Sequence, residues 1–219
     1  MKIIKVDNII KGFSKEQIQK YSEELINVLR NEVDKEAQYI EDYVEHLKRL
    51  NSGIEREELA KKIISRGALK AGGIGAVLNV GGIITMPITM PADLYLTFRI
   101  QARMVLAIAY LYGWDIHDKE ITTDVLLVMG GSGAVETLAK AGIKVGQEFA
   151  KKAMNKYINR EVMKKINQVI SRKLITKNGE KSLTSFFKLG PIIGAPIGGG
   201  INLIGTKVIG ESALKYYKG

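Results

Sequence analysis

The sequence predicts an all-α, multi-helix fold. Apolar residues recur at helical spacing over long stretches, and no stretch sustains the alternation of a strand. Start and stop signals (Ser14 with Gln17, Pro91-Ala92-Asp93, Gly113) fall at the ends of those stretches. Two Gly-rich uncharged runs are expected at the centre of the fold, with a helical arm at the N-terminus.

Residues 1–13 read as an irregular arm or a short amphipathic helix. Ser14 and Gln17 have capping-box spacing, so hydroxyl and amide can each satisfy an orphan N–H. A long amphipathic helix then runs to about Leu50. Its apolar positions are Ile18, Tyr21, Leu25, Val28 and Leu29, then Ala37, Ile40, Val44 and Leu47. The register shifts near residues 31–34, leaving a kink or two helices open. The opposite face is densely and evenly charged. It reads as a partner surface or coiled-coil arm, or more simply as the wet side of a stripe that packs on its own domain.

Asn51-Ser52-Gly53 is a break, and residues 55–69 are helical by period. Pro91-Ala92-Asp93 opens a helix to about Tyr112 that is apolar nearly all round. Only Arg99, Gln101 and Arg103 interrupt it, and Gly113 stops it. Residues 116–120 form a polar loop and residues 121–129 a short apolar helix containing Asp124. After Gly130-Gly131-Ser132-Gly133, a helix is expected over 134–158, continuing over 160–174. Lys177-Asn178-Gly179-Glu180 reads as a turn. On these boundaries the chain divides into an arm, 1–50, and a helical domain, 51–219.

The chain has 219 residues, 46% hydrophobic and 26% charged, ample for a sizeable core. It has no Cys, which removes disulfides, thiolate metal sites and cysteine nucleophiles together. The N-terminus lacks the continuous apolar core of a signal peptide, so a cytoplasmic or inner-face location is expected. The net charge of +10 is unevenly spread. Residues 1–66 balance, 67–139 carry −2, 140–181 carry +9 and 182–219 carry +3. A segment so basic suits a polyanion such as lipid headgroups, unless it is only a lysine-rich solvated face.

The first uncharged run, Ala71 to Ala92, is long enough to cross a bilayer, which takes about 20 apolar residues. It nevertheless holds five Gly, two Pro, Asn79 and two Thr. The second, Leu189 to Thr206, has 18 residues, six of them Gly. Each could fold as a tight helical hairpin, because Gly lets backbones approach. The runs could be a buried centre, interfacial hairpins or full spans.

Side chains that could carry chemistry are few. Arg99 and Arg103, four apart on an apolar helix, form either an anion site or internal ion pairs with Asp93, Asp124 or Glu136. The Gly130–Gly133 loop lacks the Gly-Lys-Ser/Thr ending and the preceding strand of a phosphate-binding loop. Ser132 has no identifiable base. His117 with Asp115, Asp118 and Glu120 lacks a second spaced His and reads as a solvated loop. Trp114 and the tyrosines at 110 and 112 are interface anchors or core caps. The basic segment lacks the interleaved exposed aromatics of a nucleic-acid interface.

The stretches ELAKKIISRGALKAGGIGA, PADL, AYLYGWD, KLITKNGEK and GPIIGAPIGGGINLIGT appear in this order from about Glu57 to the C-terminus. Together they resemble the EcsC protein family, over about three quarters of the chain. That resemblance implies an α-helical bacterial protein, named after a component encoded beside an ABC transporter. It implies no catalytic activity and carries over no site residue.

The expected function is therefore non-enzymatic association with the cytoplasmic face of the membrane, accessory to a transport system, with no catalytic residue, metal or cofactor. Arg99, Arg103, Lys140, Lys144, Lys151, Lys152, Lys156 and Arg160 would contact anionic headgroups. A protein partner would use residues 14–50, and nucleic acid is not an expected partner. The alternatives are a soluble enzyme or anion binder with a site near Asp93, Arg99 and Arg103, and a soluble helical scaffold.

Overall fold

A computed structural model describes residues 13–74, 89–118, 120–131, 133–143, 160–188 and 190–219, with the backbone alone described at 135, 178–188, 190–199 and 201. Among the described residues there are seven helices and no strand. They are α1 (Lys15–Leu50), α2 (Arg56–Gly72), α3 (Ala92–Leu111), α4 (Ile121–Gly130), α5 (Gly133–Lys140), α6 (Arg160–Lys188) and α7 (Gly190–Lys218). The fold is all-α.

Helix α1 is one unbroken 36-residue element. The capping box is formed: Gln17 N–H donates to Ser14 Oγ at 3.1 Å, and Ser14 N–H donates to Gln17 Oε1 at 2.9 Å. The shift in pattern near residue 33 produces no break, because Leu29, Val33, Ala37 and Ile40 stay on the buried side. The stripe packs on its own molecule, in the same core cluster as α2, α3, α4 and α6.

Helix α3 lies at the centre. Its length and composition would let it cross a membrane, but 72% of its apolar window is buried inside the molecule. Helix α4 is buried at all ten positions. These two helices form the middle of the described core.

Helices α1 and α3 run parallel, tied by successive side chains. Glu24 accepts from the N–H groups of Thr89 and Met90, each at 2.7 Å, just before α3 begins. Glu32 meets Arg99 and Arg103, and Glu45 accepts from the Tyr110 hydroxyl at 3.2 Å. Much of the charged face of α1 is thus spent on α3.

Helices α2 and α7 run antiparallel in close contact. Lys218 reaches Glu57 at one end, and Gly210 lies beside Ile64 further along. Gln101 of α3 donates to Thr206 of α7 at 3.1 Å in a fully buried bond.

Three boundaries differ from the sequence pattern. The helix expected over 134–158 ends at Lys140. Gly142, with φ +75°, donates to Ala139 O, and Ile143 donates to Leu138 O, closing a Schellman motif. Gly113 stops α3 in the same way, with Trp114 N–H on Ala109 O. The turn expected at 177–180 is instead the interior of α6. One Gly costs a helix only about 1 kcal/mol, and buried Ile170, Leu174 and Ile175 anchor the preceding turns. The hairpin expected in the second uncharged run is the first part of the single helix α7, where Pro191 sits in the first turn and needs no N–H partner. Most of the first run, residues 75–88, lies outside the described residues, as do residues 1–12 and 144–159.

A Cβ at Gly210 would come within 2.7 Å of Ile64 Cγ1, on a β-branched side chain that cannot swing away. Gly205 has open space around its Cβ position. Gly210→Ala should therefore lower unfolding free energy by about 1–3 kcal/mol in urea titrations. Gly205→Ala should be neutral or raise it by up to about 1 kcal/mol.

Candidate functional site

Arg99 and Arg103 are brought together, but on a carboxylate pair that spacing along the chain did not indicate. The partners are Glu32 and Glu36 of α1, not Asp93, Asp124 or Glu136. Arg99 Nε lies 2.6 Å from Glu32 Oε1, and Arg103 Nε lies 2.5 Å from Glu32 Oε2. Arg103 Nη2 lies 2.8 Å from Glu36 Oε2, and Arg99 Nη2 lies 3.5 Å from Glu36 Oε1. Pairs spaced i, i+4 on two parallel helices face each other, so two guanidinium groups clamp two carboxylates. The Glu32 side chain is 2% exposed while both arginines are near 30%. Burial pulls the Arg99 pKa down, but the hydrogen bond and charge of Glu32 outweigh it and hold it above its ordinary value. The cluster is charge-neutral.

Of the other basic residues expected at headgroups, only Lys140 and Arg160 are among the described residues. Lys140 is exposed and pairs with Glu136 at 2.7 Å. Arg160 is exposed at the start of α6. Lys144, Lys151, Lys152 and Lys156 lie outside the described residues. The helix that carries Lys140 ends before Gly142.

A second group of cations gathers on α2 and α7. Arg66, Lys70 and Lys207 are exposed, and among the described residues no carboxylate pairs with them. Nearby in sequence are the exposed apolar side chains Leu69 (65%), Ile204 (64%) and Val208 (56%).

The opposite end of the α2/α7 pair is aromatic. Trp114 stacks edge-on against Tyr217 at 5.3 Å between ring centroids, and Tyr216 against Tyr217 at 4.9 Å. With Arg56 and Tyr112 these rings line a cleft of about 300 Å³. Trp114 and Tyr217 therefore cap the core. Behind them sits Asp124, 1% exposed, with Tyr216 donating toward its carboxylate. Asp124 Oδ1 and the Tyr217 hydroxyl are buried with no hydrogen-bond partner. Burial pushes the Asp124 pKa up to about 7, with the charges of Asp118 and Glu120 adding to it and Tyr216 opposing. Burial likewise raises the Tyr217 phenol well above its ordinary value.

His117 lies in the 112–120 loop. Its ring Nε2 is 3.2 Å from Glu41 Oε1, while the Asp115 and Asp118 carboxylates accept from the N–H groups of His117 and Glu120. Those loop carboxylates are turn caps.

The EcsC protein family model matches residues 3–219. The chain belongs to the EcsC family. The match extends past the three quarters legible in the sequence and takes in α1, which packs in the same core. No curated protein and no solved structure matches this EcsC protein. The sequence reading missed the Asp124–Tyr216–Tyr217 group. Its one signal was an Asp inside the otherwise uncharged stretch 121–129, a position that must be buried if that helix is.

Glu32 is the acceptor shared by both arginines. Glu32→Gln should destabilise this EcsC domain by about 2 kcal/mol, discounted for the partly exposed arginines. Arg99→Gln or Arg103→Gln should each cost less, since one arginine remains. Denaturant midpoints at constant slope would read the difference.

For Asp124 the folded pKa of about 7 lies above the ordinary 3.8, so the folded state keeps a proton that the unfolded state releases. Its contribution to stability is full below pH 3.8, declines as the pH rises toward 7 and is lost above that. Unfolding free energy should fall by about 1.4 kcal/mol per pH unit across that window. Asp124→Asn should flatten this dependence, as read by melting scans at stepped pH.

Proposed function

We propose that this EcsC-family domain is a non-catalytic module that docks on the anionic inner surface of a bacterial membrane. The observation that supports this most is the composition of one end of the α2/α7 pair. The two helices are antiparallel, with Lys218 beside Glu57 and Gly210 beside Ile64. Residues 203–208 therefore lie toward the end of α2 occupied by residues 66–72. That end carries Leu69, Ile204 and Val208 exposed, and Arg66, Lys70 and Lys207 without carboxylate partners among the described residues. Both uncharged runs adjoin it: the first starts at Ala71 and the second ends at Thr206.

Exposed apolar side chains near exposed cations suit a bilayer interface, where apolar groups enter the headgroup boundary and cations stay with phosphates. Each Lys or Arg near an anionic leaflet contributes about 1 kcal/mol, so three give about 3 kcal/mol. Apolar insertion adds to that, enough for reversible docking. The cytoplasmic face is the one this reading selects, because anionic lipids concentrate in that leaflet and attract exposed cations. Service beside a transport system is supported by the family's name alone. The alternative of an enzyme or anion site near Asp93, Arg99 and Arg103 is weakened by the carboxylates that occupy both arginines.

Co-sedimentation with vesicles tests the reading. The protein should pellet with phosphatidylcholine vesicles containing phosphatidylglycerol at low salt, and remain in solution with phosphatidylcholine alone. Binding should weaken steeply with salt, because the exposed cations are screened. The triple change Arg66→Gln, Lys70→Gln and Lys207→Gln should reduce binding by about a hundredfold, the factor expected for roughly 3 kcal/mol. Full recovery in the supernatant with anionic vesicles at low salt would sink the proposal.

A further inference from the structure

We infer that the cleft between α1, α2 and α3 is a seat for a phosphate-monoester lipid headgroup. The inference rests on the docking reading and assigns that surface a specific ligand. The cleft has a volume of about 140 Å³. Its floor is apolar and buried, made by Ile40, Ile63, Met104 and Ala107. Its rim is cationic and aromatic: Arg66 and Lys70, one turn apart on α2, face Arg103 on α3 and the tyrosines 39 and 43 on α1.

The charges decide the ligand class. Arg103 is held by Glu32 through Nε and by Glu36 through Nη2, and its Nη1 has no carboxylate partner among the described residues. Arg99 and Arg103 together are cancelled by Glu32 and Glu36. Among the described residues no carboxylate pairs with Arg66 or Lys70, and none lines the cleft. The rim therefore carries a net charge of +2. A phosphate monoester carries about −1.5 to −2 at neutral pH, and a diester −1. Of the two, the monoester matches the Arg66 and Lys70 charges, with the Arg66 guanidinium fork suited to its terminal oxygens.

The rings hold the rim in place. Lys70 Nζ lies 6.0 Å from the centroid of Tyr43, and Arg103 Cζ lies 5.5 Å from that of Tyr39. Tyr39 is 58% exposed at the mouth, and Leu69, beside Lys70 in the chain, is exposed as well. A glycerol backbone or acyl chain leaving the phosphate would meet apolar surface both on the floor and at the mouth. This amphipathic arrangement points to a lipid rather than to free phosphate.

Calorimetric titration of the full chain tests the cleft without a bilayer. The probes are short-chain phosphatidic acid below its micelle concentration, short-chain phosphatidylglycerol and inorganic phosphate. Phosphatidic acid should bind at least about tenfold more tightly than phosphatidylglycerol, as a second charge-assisted contact of about 1.4 kcal/mol requires. The double change Arg66→Gln and Lys70→Gln should remove that preference. Lys207→Gln, the loss of one charge outside the cleft, should leave it intact.

Equal affinity for the two lipids overturns the assignment, as does a preference that survives the double change. Inorganic phosphate binding as tightly as phosphatidic acid overturns the lipid source. Vesicle binding lost while this preference persists overturns the docking reading and leaves the cleft standing. Vesicle binding without any preference overturns the cleft alone.

Discussion

Helix α3 has almost no polar surface, and the arrangement of the molecule follows from covering it. A helix apolar all round must be surrounded. Helices α1, α2, α4 and α7 all pack against it, and twelve of its twenty residues are buried. Its two arginines would be costly in that setting without compensation. Glu32 and Glu36 supply it, and their i, i+4 spacing matches that of Arg99 and Arg103 only if α1 runs parallel to α3. Glu24 at the entrance to α3 and Glu45 at its far end hold the same register. Arg99 and Arg103, which the sequence left open between an anion site and internal ion pairs, thereby form a clamp that orients α1.

The core contains two carboxylates with different surroundings. Glu32 meets two guanidinium groups at hydrogen-bond distance. Asp124 meets only the Tyr216 hydroxyl, with the like charges of Asp118 and Glu120 in range. Desolvation prevails where no cation is present, and the proton stays to about neutral pH. Both groups are about equally hidden, and their partners differ. The difference lies in which helix faces each one.

The antiparallel α2/α7 pair gives the molecule two unlike ends. One is closed by Trp114, Tyr216 and Tyr217 stacked over the core. The other holds exposed cations, without carboxylate partners among the described residues, and exposed aliphatic side chains where the uncharged runs adjoin. Gly210 lets the helices approach closely enough for this pairing to define both ends. Among the described residues, Arg66 and Lys70 on α2 and Lys207 on α7 are exposed without a carboxylate partner. The helix that carries Lys140 ends before Gly142.

Helix positions, the capping box at Ser14, the stop at Gly113 and the isolation of Arg99 and Arg103 on an apolar helix were all legible in the sequence, because each depends on neighbours within one turn or two. So was the family, from the ordered Gly-rich stretches. The continuation of α6 through Gly179 and the end of α5 at Gly142 were not. Gly tolerates both helix and left-handed turn, and the surrounding packing selects between them. The partners of Arg99 and Arg103 were likewise hidden, since Glu32 and Glu36 lie more than sixty residues away among many similar acids. The sequence by itself determined which segments are helices and which faces are apolar, through propensity and period. Tertiary structure decided which charges cancel, which stay free and which carboxyl keeps its proton, because those depend on distances and burial between segments far apart in the chain.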